Sequence, residues 1–134
     1  MSLTTDPAAV VRTYLDAMER RDLAAAQALL TAGFVMTFPG GREFRSLEAL
    51  VDSAKGRYKR ALKTYDRYDV APAATADGAA VVYCFGTLRG ELLNGEAYSG
   101  IRFIDRFTVR DGKLVDQMVW NDMAETLGAK LKAL

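Results

Sequence analysis

The stretch IRFIDRFTV at residues 101–109 decides the fold, because the chemistry of its side chains alternates along the chain. A β-strand points successive side chains to opposite faces of its sheet, so this alternation predicts one solvated face and one buried face. Arginine and threonine occupy the solvated face, with Ile104 as the exception. The buried face carries Ile101, Phe103, Asp105, Phe107 and Val109.

Asp105 is the residue of this strand that needs a physical explanation. An unpaired carboxylate is costly to bury, so such a group either finds partners or stays protonated. Perturbed carboxyl groups in apolar cavities are over-represented at functional sites. Two interpretations are therefore open for Asp105: a functional acid, or a structural carboxyl bonded to backbone or to a buried tyrosine.

Three turn-forming dipeptides place this strand in a sheet. They are Asp77-Gly78, Asn94-Gly95 and Asp111-Gly112, and each separates two strand-like runs. Such dipeptides readily adopt positive φ and form tight hairpins. They predict a four-strand antiparallel meander over residues 64–76, 79–93, 96–110 and 113–122.

The first half of the chain predicts helices. Thr5-Asp6-Pro7 is typical of a helix start, and Asp22 can cap a second short helix that Gly33 would end. Residues 34–38 predict a short strand, which Pro39-Gly40-Gly41 would terminate.

A third helix is predicted to begin at Ser46 and to continue to Ala61, because apolar residues recur at helical spacing. On this helix the basic side chains would form a solvated face. They are Arg57, Lys59, Arg60 and Lys63.

Together these elements predict an α+β fold, in which a curved antiparallel meander sheet wraps around three helices. The sheet would curl around the helices and leave an apolar pocket, into which Asp105 would point. A chain of 134 residues with 50% hydrophobic content fits a single domain, 1–134.

Composition narrows the function. The net charge is +1, and the absence of a basic tract argues against nucleic-acid binding. The single cysteine, Cys84, indicates a core thiol in a reducing, cytoplasmic compartment, and no apolar run is long enough for a membrane. The chain has no histidine, which excludes Ser-His or Cys-His triads and histidine-ligated metals. We expect no metal and no cofactor, and carboxylates, tyrosines or water must move any protons.

Two runs carry a family resemblance. VVRTYLDAMERRDLAAAQALLTAGFVMTFPGG, at residues 10–41, resembles the opening of ketosteroid isomerases and SnoaL-like polyketide cyclases. GIRFIDRFTVRDGKLVDQMVWND, at residues 100–122, is similar to the end of the same superfamily, which has the nuclear-transport-factor-2-like cone fold. That superfamily contains isomerases, cyclases, dehydratases, epoxide hydrolases and proteins without known catalysis, so the resemblance implies the fold more strongly than an activity.

The resemblance implies roles for particular residues. Tyr14 stands where ketosteroid isomerases have a tyrosine that donates to the oxyanion, and Asp105 matches their protonated, donating Asp. Phe38 stands where they have the general-base Asp, and a phenyl ring cannot accept a proton. Val119 stands near the acidic residue of the cyclases, with Asp122 three residues further on. Tyr14 also fits the apolar stripe of its helix, so plain core packing is the alternative.

The register of the last strand decides which side chains share the pocket. A three-residue turn at residues 110–112 would set Asp105 opposite Gln117, whereas a two-residue turn would set it opposite Met118. A one-residue slip exchanges the two faces of a strand. The resemblance favours the first register, which places Gln117 and Asn121 in the pocket and Trp120 on the opposite face.

The expected substrate-binding set is Phe38, Gln117, Asn121, Phe103 and Met36. Arg42 and Arg45 follow the glycine turn and are either anion-binding residues at the cavity mouth or solvated surface. The face of Tyr83 is undecided.

Two functions remain open. One is an enzyme that isomerises or cyclises a small hydrophobic carbonyl compound, with Asp105 and Tyr14 as catalytic residues. The other is a ligand-binding or dimeric interaction domain without turnover, which the missing base favours. A homodimer is expected in either case, through apolar residues on the outer sheet face. These are Ile104, Met118 and Trp120.

Overall fold

The structure, a computed structural model, describes residues 6–73, 78–128 and 130. The helices in these ranges are α1 (Pro7–Glu19), α2 (Leu23–Gln27), α3 (Leu47–Lys55) and α4 (Met123–Leu127). The strands are β1 (Leu30–Phe38), β2 (Arg42–Phe44), β3 (Tyr58–Pro72), β4 (Ala80–Leu92), β5 (Ala97–Arg110) and β6 (Lys113–Asn121). None of the described helices is long and apolar enough to span a membrane.

The strands form one curved, open sheet in the order β2-β1-β6-β5-β4-β3. Strands β3 to β6 pair antiparallel in sequence order, as the meander prediction requires. Strand β1 adds parallel to β6, and β2 adds antiparallel to β1. The predicted α+β class is therefore confirmed, and α4 is a further short helix that the sequence patterns did not indicate. Of the three predicted hairpin dipeptides, Asp77-Gly78 lies partly outside the described residues, since only Gly78 is among them.

Helix starts follow the predicted caps. The side chain of Asp6 accepts a hydrogen bond from the Ala8 N–H at 3.2 Å, and Ser46 accepts one from the Ala49 N–H at 3.1 Å. Thr5 lies outside the described residues. Helix α1 then buries Tyr14 against the concave face of the sheet, in the same cluster as Phe107.

The second helix is shorter than predicted. Asp22 caps it, but α2 ends at Gln27 and the chain is already in β1 at Leu30. Gly33 therefore lies inside a strand and does not end the helix. Pairing of Leu30 with Leu114 of β6 outweighs the helical spacing of the leucines, an example of tertiary contacts overriding local pattern.

The third helix was also predicted too long. It ends at Lys55 with Gly56 as its cap, and β3 begins at Tyr58, which pairs with Leu92 of β4. The apolar residues Tyr58 and Ala61 continue the helical spacing by coincidence. This correction moves Lys63 from a predicted solvated helix face into the sheet.

Gly86 marks a place where the sheet is tightly packed. A Cβ atom at this position would lie 1.9 Å from the backbone oxygen of Thr64 and 3.0 Å from the ring of Phe103. A glycine inside a strand commonly marks such a close approach. The missing side chain leaves room for Phe103 on the concave face, next to the cavity described below.

Candidate functional site

A cavity of about 430 Å³ lies between the concave face of the sheet and the helices. Its wall is mostly apolar, as is usual for a small-molecule site. Residues from α1, α3, β3, β5 and β6 contribute to it. Polar or charged side chains that line it are Tyr14, Glu19, Arg21, Arg42, Ser53, Arg57, Tyr58, Lys63, Tyr65, Gln117 and Asn121.

Asp105 is fully buried and forms an ion pair with Lys63. The distance from Lys63 Nζ to Asp105 Oδ2 is 2.6 Å, and the side chain of Lys63 retains 24% exposure. Lys63 lines the cavity, whereas Asp105 does not. The carboxyl predicted to point into the hollow is thus covered by the ammonium of Lys63, which also lies 4.8 Å from the centroid of the Phe103 ring.

The partner of Asp105 is therefore a cation and neither backbone nor a tyrosine. Its second oxygen, Oδ1, has no hydrogen-bond donor among the described residues. A hydrogen bond between charged groups is short and strong, so Asp105 fixes the position of the Lys63 ammonium in the apolar wall. The arrangement presents a positive donor to the cavity, with the negative charge behind it.

Tyr14 lies in the wall and also in the hydrophobic core, with its ring packed near Phe34 and Phe107 at centroid distances of 6.1 and 5.9 Å. Its hydroxyl is 3.9 Å from the Sδ atom of Met36, a weak acceptor. Burial raises the pKa of Tyr14, and the negative charge of Asp105 raises it further. Tyr14 is therefore a neutral hydroxyl that can donate a hydrogen bond to a ligand.

Tyr65 is a second neutral phenol in the wall, which the sequence patterns did not single out. Its ring meets Phe103 edge-on at 5.6 Å, and burial followed by the charge of Asp105 raises the pKa of its hydroxyl. Cys84, directly opposite Asp105 on β4, is buried as predicted, and burial raises the pKa of its thiol to about 12.

The β5–β6 register differs from both alternatives drawn from the sequence. Arg110 pairs with Lys113, so Asp111-Gly112 form a two-residue turn with positive φ at both positions. An irregularity beside Thr108 then shifts the pairing, and Asp105 lies opposite Val119. The predicted partner Gln117 lies opposite Phe107 instead.

The predicted faces are nevertheless correct. A β-bulge adds one residue to one strand, which restores the parity that a two-residue turn would otherwise reverse. Gln117, Val119 and Asn121 consequently line the cavity, and Trp120 lies on the other face with 52% exposure. Tyr83 pairs with Arg106, whose neighbour Asp105 is buried, so Tyr83 belongs to the outer face.

Gln117 and Asn121 differ in how free their amides are. Gln117 is 4% exposed, and its Oε1 atom has no hydrogen-bond partner in the described part of the chain. The Oδ1 atom of Asn121 accepts the N–H of Met123 at 3.1 Å and so supports the start of α4. Gln117 is therefore the amide with a buried acceptor available to a ligand.

The other predicted binding residues also differ in whether they line the cavity. Phe38 lines the cavity and meets Phe44 edge-on at 5.5 Å, and Phe103 lines it beside Lys63. Met36 is fully buried and is not part of the wall; its sulfur faces the Tyr14 hydroxyl. Arg42 and Arg45 are both exposed, but Arg42 lies at the wall, whereas Arg45 lies outside it and pairs with Glu43.

Lys63 is the main residue that sequence reasoning missed. The alternation of Ala61, Lys63 and Tyr65 would have revealed it if the strand had been extended backwards from Thr64. No group of three or more His, Cys, Asp or Glu side chains in residues 6–73, 78–128 and 130 could hold a metal ion.

Fold and site together define a nuclear-transport-factor-2-like (NTF2-like) protein with a ligand-sized cavity. The profile of the SnoaL-like domain matches residues 11–117, and the chain belongs to this SnoaL-like family. A search among curated proteins gives no significant match.

Solved structures agree on the fold. An NTF2-like protein of unknown function from Burkholderia pseudomallei has 19% identity and a TM-score of 0.75, covering 96% of this chain and 98% of its own. TerC co-crystallised with polyporic acid has 14% identity and a TM-score of 0.73, with 95% and 98% coverage. A putative polyketide cyclase from Pseudomonas putida has 18% identity and a TM-score of 0.59, with 83% and 87% coverage. At these identities the likeness shows the fold alone.

Proposed function

We propose that the protein binds a small, largely apolar carbonyl compound in its cavity and promotes its enolisation, as an isomerase or a cyclase would. The observation that carries this proposal is the Lys63 ammonium, held 2.6 Å from the buried Asp105 in a mostly apolar wall. A positive donor that is already held in position stabilises a developing oxyanion without having to reorganise during the reaction.

The roles follow from the geometry of the wall. Lys63 donates to the carbonyl oxygen as negative charge develops there, and Tyr14 is a second, neutral donor. Asp105 acts through Lys63 as a positioning residue, which revises its expected role as the proton-donating acid. Gln117 offers an acceptor for a ligand hydroxyl.

Enolisation also needs a group that removes the α-proton. Phe38 occupies the expected base position and cannot do so. Glu19 is the one carboxylate among the described residues that line the cavity, and we assign proton removal to it. Its negative charge contributes to raising the pKa of the Tyr65 hydroxyl, which lines the same cavity.

The test is deuterium incorporation at the α-carbon of an apolar ketone such as tetralone, followed by NMR in heavy water. We expect exchange above the buffer rate, and a loss of about 100-fold or more in Lys63→Met, the usual effect of removing one oxyanion donor. Lys59→Met, an exposed lysine on the same strand, is the matched control. Asp105→Asn should reduce exchange as well, because it releases the ammonium from its position.

A second candidate is ligand binding without turnover, favoured by Phe38 at the base position and by the complete cover over Asp105. Saturable binding of the ketone with no exchange above the buffer rate would establish this alternative. The co-crystallisation of TerC, a protein of similar fold, with polyporic acid supports a search for an organic ligand.

We also propose a homodimer through the outer face of the sheet. Trp120 pairs across the strands with Ile104, which pairs with Phe85, so an apolar row crosses the sheet beside Met118. Trp120 is exposed and the other members of the row are half-buried, and an apolar patch of this kind at a surface commonly has a partner. Sedimentation equilibrium should give a dimer that Trp120→Glu converts to monomer without loss of thermal stability; a monomeric parent protein at micromolar concentration would refute it. A cytoplasmic location, supported by the free thiol of Cys84, stays a proposal too.

A further inference from the structure

We propose that the ligand of this cavity is an anionic amphiphile, whose anionic oxygen group lies between Arg42 and Arg57 while its apolar body fills the cavity. This inference rests on the proposed function because it uses the same cavity. It goes beyond that function by assigning a charge and an orientation to the ligand, with the anionic end at the mouth.

The first support is the pairing of arginines over the described surface. Six of them lie within 4 Å of a carboxylate oxygen: Arg20, Arg45, Arg60, Arg67, Arg102 and Arg106. Arg42 and Arg57, which line the cavity, have no carboxylate partner among the described residues. Arg12, Arg21 and Arg89 also lack a carboxylate partner in the described part of the chain, and Arg21 lines the cavity with Arg42 and Arg57. None of the six paired arginines lines the cavity, so the counter-charges lie outside the wall.

The second support is that the positive charge of Arg57 acts on Arg42, which lines the same cavity. Burial lowers the pKa of Arg42, and the positive charge of Arg57 lowers it further. Arg42 is also held in place, since its Nε donates to the Pro39 carbonyl at 3.4 Å and its guanidinium lies 5.9 Å from the Phe44 ring centroid. Two like charges held near one cavity repel, and a bound anion would relieve that repulsion.

The third support is the sign of the whole wall. Its charged side chains are Arg21, Arg42, Arg57, Lys63 and Glu19, in a chain whose net charge is only +1. Four cations against one carboxylate give the wall an excess of positive charge, and a cleft with such an excess concentrates ligands of the opposite sign. The apolar remainder of the wall, which includes Phe38 and Phe103, requires that such a ligand carry a hydrophobic body.

The experiment compares two fluorescent dyes with the same aromatic body: anilinonaphthalene sulfonate, which is anionic, and phenyl-naphthylamine, which is neutral. We expect the protein to bind the anionic dye about tenfold more tightly at low salt, an advantage that shrinks as salt screens the charges. Arg42→Gln and Arg57→Gln should each weaken binding of the anionic dye by about threefold, an effect of the size expected for partly exposed charges. Because both arginines also line the cavity, the variants should lose less affinity for the neutral dye than for the anionic dye, and the ratio of the two affinities measures the contribution of charge.

Arg45→Gln is the matched control, because Arg45 is close in sequence but pairs with Glu43 outside the cavity. Equal affinity for the two dyes in the parent protein would overturn the proposal, and so would an equal loss of the anionic dye in the Arg45 variant. Either result leaves the cavity's binding function standing if the neutral dye binds. Binding of neither dye would overturn the inference and the proposed function together.

Discussion

Removal of the Lys63 amine should destabilise the protein through the carboxylate that it leaves behind. Asp105 is fully buried, and breaking a buried pair by deleting one partner typically costs about 3–5 kcal/mol. Lys63 keeps 24% of its side chain exposed, so cavity water can partly solvate the orphaned carboxylate. We therefore expect Lys63→Met to lose about 3 kcal/mol of unfolding free energy, at the lower end of that range.

Substitution of the other partner, Asp105, should reduce the unfolding free energy by less. Asp105→Asn keeps the shape of the side chain and an acceptor for the ammonium, and Lys63 can turn toward the cavity. We expect a loss of about 1 kcal/mol, the size of one ordinary hydrogen bond.

The double variant gives the sharpest test, because its second substitution should restore stability. In the Lys63→Met background, Asp105→Asn replaces a buried charge by a neutral amide, so the double variant should be more stable than Lys63→Met by about 1–2 kcal/mol. Urea unfolding measures all four proteins, and an unchanged slope shows that the unfolded state is the same.

The control is Lys59→Met, because Lys59 lies exposed on the same strand. Its unfolding free energy should stay within about 0.5 kcal/mol of that of the parent protein. If Asp105→Asn instead lowered stability further in the Lys63→Met background, the ion pair could not be the source of the loss. The reasoning would then be refuted.

Three further perturbations test the packing around the site. Gly86→Ala places a Cβ atom 1.9 Å from a β3 carbonyl oxygen, so urea unfolding should show a loss of about 3 kcal/mol in unfolding free energy. Gly33→Ala is the control: a Cβ atom there meets open space, and the unfolding free energy should change by less than about 0.5 kcal/mol. Burial raises the pKa of Cys84 from 9.0 to about 12, so the thiol favours folding while it is neutral. This stabilising contribution of the neutral thiol is complete below pH 9 and is lost as the pH rises toward 12, so thermal melts should show a falling Tm over that range. In addition, Cys84 should be alkylated far more slowly in the native protein than in urea. Asn121→Ala removes the acceptor for the Met123 N–H and should cost about 1 kcal/mol, with faster hydrogen exchange confined to α4.

The buried and exposed faces of β5 could be predicted because strand periodicity is a strictly local signal. Each apolar residue of the alternating set is buried, and Asp105 lies among them as expected. The hairpin at Asp111-Gly112 was equally readable, since positive φ at both positions demands such residues. The residue pairing across that hairpin could not be predicted from the sequence. It depends on the bulge beside Thr108, and a bulge is determined by contacts between strands.

Lys63 was missed for a different physical reason. Between Ala54 and Ala61 the apolar spacing fits a helix, and local propensity alone gives no cause to end it at Lys55. The segment becomes a strand because residues 58–72 pair with β4. This pairing joins residues that are far apart in the chain, so local sequence does not reveal it. An error in one element thus hid the cation that Asp105 requires.

That omission changed the chemistry assigned to the site. An isolated carboxyl in an apolar pocket is most stable when protonated, which makes it an acid, as the family resemblance implied for Asp105. The same carboxyl 2.6 Å from an ammonium is the acceptor of a charged hydrogen bond, and the group of the pair that lines the cavity is Lys63. In the proposed function, this ammonium is the donor to the carbonyl oxygen of the ligand. The double-variant cycle tests the ion pair, because the unfolding free energy depends on it. The enolisation assay tests the proposed contact between the Lys63 ammonium and the carbonyl oxygen, because exchange depends on that contact.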